Sequence, residues 1–97
     1  MTSFKLDERV RLSIELALTA ARADAQHRRD QDAEARKLGL SGAEIDAARL
    51  GRAFDLRISA ALALAMMPDK NSRARARAAG ISEETCREIE KLASHFA

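Results

Sequence analysis

Tryptophan and tyrosine are absent from the chain, phenylalanine occurs three times and proline once. A core with so few rings must be filled by small and branched aliphatic side chains, which let helices approach closely. One Pro and four Gly leave little that reads as strand or linker. The single cysteine, Cys86, has no partner in its own chain, so nothing argues for an oxidising compartment. Long apolar runs are missing as well: charges interrupt every potential 18-residue stretch, and MTSFKLDERV lacks the apolar core of a signal peptide. These absences lead us to expect a soluble, cytoplasmic protein with no membrane partner. The balance of 17 Lys and Arg against 15 Asp and Glu leaves a surplus too small to signal a polyanion partner by itself.

The 97 residues suit one domain, which at this length hides roughly two-thirds of its unfolded surface. Alanine dominates, with 21 copies, and 13 of the 17 cations are Arg. Helical periodicity and cap residues divide the chain into six expected helices. The first, about 7 to 23, repeats Val10, Ile14, Ala17, Leu18 and Ala21 on one side and sets Leu12 and Leu16 on another. A helix apolar on two flanks needs cover on both, from its own chain or from a second subunit. A polar helix is expected over 24 to 38, and Gly39 stops it. Ser41 with Glu44 forms a capping box for a helix over 42 to 50. The fourth helix, about 52 to 67, is again two-sided: Phe54, Ile58, Ala61, Leu62 and Ala65 form one stripe, and Leu56, Ala60, Leu64 and Met67 another. Helices over 72 to 79 and 83 to 96, the last capped by Ser82, complete an all-α domain spanning 1 to 97. The segments ARKLGLSGAEI and ARAAGISEETC echo each other at an offset of 41 residues, either through duplication or because good helical corners converge on one chemistry.

The run LALTAARADAQHRRDQDAEARKLGLSGAEIDAARLG, continuing through Phe54-Asp55 to the closing pair ARAAGISEETCREIEKLASHFA, resembles the carboxymuconolactone decarboxylase and alkylhydroperoxidase-D-like superfamily over nearly the whole chain. That resemblance implies an all-helical bundle assembled as a homo-oligomer, a trimer or hexamer, through helix faces. Redox members of the family carry Cys-x-x-Cys at the start of the second helix, a His four residues after the second Cys, and a Glu about twelve residues before the first. Set on this chain through Thr19-Ala20-Ala21, those positions hold Asp24, His27, Gln31 and Leu12, so all four depart from the pattern. A dithiol cycle needs two thiols to form and release its disulfide, and neither is present at that position. Peroxidase chemistry is therefore not expected, and Cys86 reads as a small buried apolar side chain.

The decarboxylase branch, as the resemblance implies, needs no cysteine pair. Asp24, His27 and Gln31 are spaced to share one helix face, with Arg28 beside them. Such a face suits acid–base work on a small anionic substrate: His27 moving the proton, Asp24 charging it, Gln31 as hydrogen-bond partner, and Arg22 or Arg28 holding the anion. Glu15, one turn beyond Leu12, is the candidate to replace the missing carboxylate. The same residues also read as ordinary helix surface, with His27 paired to Asp24 or Asp30 and Glu15 lying beside Arg11 and Arg22. Two candidate ligands and an amide fall short of a zinc site, and no metal or other cofactor is expected. Two further readings stay open: a non-catalytic oligomeric scaffold, and a helix-turn-helix over ARAAGISEETCREIEKL. Against nucleic acid as a partner, Glu83, Glu84, Glu88 and Glu90 outnumber Arg87 and Lys91 on the would-be recognition helix, and like charges repel a duplex.

Overall fold

The computed structural model describes residues 4–96. It consists of six helices with no strand among the described residues: α1 (Glu8–Thr19), α2 (Ala25–Lys37), α3 (Gly42–Arg49), α4 (Leu56–Met66), α5 (Lys70–Ala78) and α6 (Glu83–His95). No helix among them is long and apolar enough to cross a membrane.

Short polar side chains set where each helix begins. Asp7 caps α1 by accepting from the Val10 N–H, and the capping box at Ser41 and Glu44 closes reciprocally at 3.1 and 2.8 Å. Three boundaries differ from the sequence expectation, each for a local reason. α1 stops at Thr19 because the Arg22 and Ala23 N–H groups both turn back to the Thr19 carbonyl. Asp55 takes the N-cap of α4, accepting from Arg57 and Ile58, so that helix begins at 56, well after 52. Asp69 caps α5 through the Ser72 N–H and starts it at 70.

The echoed segments fold alike. After α2, Gly39 adopts φ 89° and the Leu40 N–H donates to the Ala35 carbonyl at 3.0 Å. After α5, Gly80 adopts φ 98° and the Ile81 N–H donates to the Ala76 carbonyl at the same distance. Both are Schellman closures, which need a residue free to enter the left-handed region, and both bury the aliphatic residue that follows. The corner within the segment that the sequence presents as a helix-turn-helix signature is thus built like the one after α2.

The apolar residues form two clusters with α1 between them. On one flank Val10, Ile14 and Ala17 meet Leu62, Leu64 and Ala65 of α4, Ala76 of α5, and Cys86 and Ile89 of α6. On the other, Leu12 and Leu16 meet Ala35 of α2, Leu40, and Ile45 and Ala48 of α3. The chain itself therefore covers both flanks of α1. Not so for α4: Ala60 and Leu64 of its second stripe are buried, while Leu56 and Met67 are exposed. Arg49 fastens α3 to α2 through Asp32 at 2.8 Å and the Arg28 carbonyl at 3.2 Å.

Candidate active site

α2 carries few apolar residues, and beyond Ala35, which packs with Leu12 and Leu16, its face toward α1 is held by polar contacts. Gln31, buried within that face, donates from Nε2 to the Glu15 carboxylate (Oε2) and to Thr19 Oγ1, both at 2.9 Å. Thr19 in turn donates its hydroxyl to the Glu15 carbonyl at 2.8 Å. One turn N-terminal to Gln31, the His27 Nε2 lies 3.9 Å from the same Glu15 Oε2, an ion-pair distance once the ring is protonated. The half-exposed imidazole and the more sheltered carboxylate therefore share one edge of the cluster. A carboxylate so placed can accept a proton and the ring beside it can donate one. The Gln31 amide fixes the carboxylate's position through a charge-assisted bond, and the Thr19 hydroxyl oxygen accepts from the same amide and so holds it in place.

Three of the expected site residues, Glu15, His27 and Gln31, come together, and the other three do not. Asp24 caps α2: its carboxylate accepts from the His27 backbone N–H at 2.8 Å and does not reach the ring. Arg28 turns to the Ala20 carbonyl at 2.6 Å and toward that of Ala23 at 3.4 Å, and Arg22 donates to the Phe96 carbonyl. The two guanidinium groups expected to hold an anion instead tie the 20–24 turn to its surroundings. Thr19 belongs to the cluster although sequence reasoning used it only as a landmark. The signal for it was its spacing of four from Glu15, which puts both on the α1 face that meets α2.

Glu15 also opens onto solvent. With Glu8, Arg11, Leu12, Glu34, Leu38, Leu92 and Phe96 it lines a groove of about 320 Å³ between α1, α2 and α6. Arg11 is the one cation on that wall, and its Nε donates to the Leu6 carbonyl at 3.1 Å. A tighter cavity of about 60 Å³, bounded by Arg9, Ser13, Glu44, Phe54 and Ile58 among others, has its acids occupied elsewhere. Glu44 pairs with Arg9 at 3.5 Å and completes the capping box, and Asp55 caps α4. The Ser41 backbone and hydroxyl contacts, against slight desolvation and aided by Arg9, hold the Glu44 carboxyl below its ordinary range.

Cys86 is wholly buried in α6, where desolvation raises the thiol above its ordinary value, with the nearby charges of Arg73, Glu90, Arg77 and Glu83 pulling in both directions. Arg73 of α5 is engaged by Glu83 at 3.7 Å and Glu90 at 3.2 Å. No group of three His, Cys, Asp or Glu among the described residues is placed to hold a metal ion. Compared with models of known families, with curated proteins and with solved structures, the chain matches none.

Proposed function

We propose that this chain is an alkylhydroperoxidase-D-like, carboxymuconolactone decarboxylase-like protein that carries out non-redox proton transfer on a small substrate. It works as a cytoplasmic homo-oligomer, a setting in which its lone thiol needs no oxidised partner. The observation that carries the chemistry is the convergence on one carboxylate: Glu15 Oε2 receives the Gln31 amide and faces the His27 imidazole. In the relatives that the sequence resembles, the same stretch of the second helix holds the reactive pair. Here an acid and an imidazole lie against it, with Gln31 and Thr19 as positioning residues. Glu15 is the base, since its carboxylate borders both the groove and the ring, and His27 is the acid that returns the proton. The resemblance points to a substrate bearing a carboxylate. Arg22 and Arg28 do not line the groove, so Arg11, its one cation, is the residue that would anchor it there, through the terminal nitrogens that its Nε contact with the Leu6 carbonyl leaves open.

One observation favours a second reading, a non-catalytic scaffold: His27 lines neither the 320 Å³ groove nor the tighter cavity. A panel of small carboxylated lactones and β-keto acids in deuterated water, followed by NMR, separates the two. Proton transfer predicts isotope exchange or decarboxylation that falls at least about 100-fold in Glu15→Gln and His27→Asn and persists in Cys86→Ser. Inertness across the panel leaves the scaffold, and hydroperoxide turnover dependent on Cys86 overturns the non-redox reading altogether.

A further inference from the structure

The surface that α4 shares with the preceding loop stays open. Leu50, Phe54, Leu56, Met66 and Met67 are the exposed large apolar side chains, from 49% for Met66 to 80% for Leu56. Leu50, Met66 and Met67 gather at the C-terminal end of α4, and Phe54 and Leu56 stand at its start. Met66 lies so close to Gly51 that a Cβ built there would come within 2.4 Å of its sulfur, which brings the C-terminal end of α4 against the Leu50–Gly51 corner. Leu56, Ala63 and Met67 recur at helical spacing along the outer stripe of α4, with Ser59 beside them. At roughly 150 Å² for each fully exposed side chain of this size, the five offer about 500 Å² of apolar surface. Scattered exposed residues need no explanation, but five on one helix and the loop before it make an apolar face near the upper end of what a monomer shows to water, a size that is often functional. It is more than half of the roughly 800 Å² that each partner contributes to a standard stable interface.

We infer that this face is a two-fold interface between copies of the chain, in which α4 pairs antiparallel with α4 of a second copy. The inference rests on the assembly part of the proposed function and adds the surface that carries it. A two-fold contact requires a surface complementary to itself, and the outer stripe of α4 has that property. Its large side chains, Leu56 and Met67, stand at the two ends, about 16 Å apart at 1.5 Å per residue. The half-buried Ser59 and Ala63 between them leave room for close approach. Turned end for end, Leu56 of one copy meets the partner's Met67, and the small centres meet each other. Each end carries one acid and one base, Asp55 with Arg57 and Asp69 with Lys70, so reversal brings no like-charged ends together.

Multi-angle light scattering of the full chain at micromolar concentration should give a mass at an even multiple of 10.6 kDa. Leu56→Glu and Met67→Glu should each halve that mass while the far-ultraviolet circular dichroism stays helical. In a Cys86→Ser background, Ala63→Cys should be joined to its symmetry mate by a short bis-maleimide, a readout that does not depend on the charged variants folding. A wild-type monomer overturns this interface together with the assembly reading. An oligomer that ignores both glutamates, or that leaves Ala63→Cys unlinked, overturns the α4 interface alone and leaves the assembly reading standing.

Discussion

Replacing Gln31 by Glu puts the geometry of the α1–α2 contact to its hardest test. The Gln31 amide nitrogen lies 2.9 Å from Glu15 Oε2, so the substitution sets a second carboxylate where a donor was. Two full charges at that separation repel by about 6 kcal/mol at an effective dielectric of about 20. Holding one proton on the pair at pH 7 costs less, about 4 kcal/mol for a carboxyl that ordinarily titrates near 4.3. Protonation therefore wins, and the shared proton restores a donor to the contact. A pair whose pKa is pushed up on folding contributes its full stability below the ordinary carboxylate range and loses it as pH rises. Gln31→Glu should thus unfold at nearly the wild-type temperature at pH 4 and, by pH 7, at about 15 to 30 °C below it. Glu15 can swing part of its carboxylate to water, which places the result toward the smaller shift. Gln31→Met is the control. It gives up two hydrogen bonds, about 1 to 3 kcal/mol net, and removes a buried Oε1 that has no partner among the described residues, relief of similar size. Its stability should stay within about 1 kcal/mol of wild type at every pH. Circular dichroism melts at four pH values suffice. If Gln31→Glu follows the wild-type pH profile, Glu15 and Gln31 are not in contact and the candidate site dissolves with them.

Three further expectations follow from other parts of the molecule. Because folding lowers the pKa of Glu44, its contribution is present above the ordinary carboxylate range and is lost as pH falls through the lowered value. Glu44→Gln, which keeps the capping geometry, should flatten the acid limb of a stability profile by a few tenths of a kcal/mol, discounted for an exposed pair. Cys86, buried and with its thiol pKa raised by desolvation, should resist an aromatic disulfide reagent at pH 8 and react at once in denaturant; fast labelling of the folded chain would show α6 packed otherwise. Leu62→Ala empties a fully buried position in the larger cluster and should cost about 2 to 5 kcal/mol in a urea titration, whereas Leu56→Ala, on the open stripe, should cost a monomer almost nothing.

What the sequence discloses and what it hides divide along a physical line. Caps and stops are local, so Ser41 with Glu44, Ser82 and the Gly39 closure are readable residue by residue and appear where expected. Asp24 misleads because one carboxylate serves equally well as an N-cap or as a partner for an imidazole, and spacing alone does not choose between them. The Glu15 to Gln31 contact spans sixteen residues and depends on how α2 lies across α1, a tertiary fact with no local signature. Arg22 and Arg28 are lost to the site for a related reason: the carbonyls left free at the ends of α6 and α1, those of Phe96 and Ala20, are acceptors that a guanidinium satisfies. The two-sided first helix is legible as such. Which of its two possible covers applies, its own chain or a neighbour, follows only once the other five helices are in place.

The position of α1 between two clusters also bears on how the polypeptide matures at the ribosome. It is synthesised before the other five helices, yet half of its shelter comes from residues 60 to 93, which emerge well after it. Until then one greasy flank waits unprotected, and a nascent chain stalled short of α6 presents it to chaperones or to other nascent copies. Truncations that remove the final helix should accordingly be insoluble as whole molecules and not merely frayed at the tail.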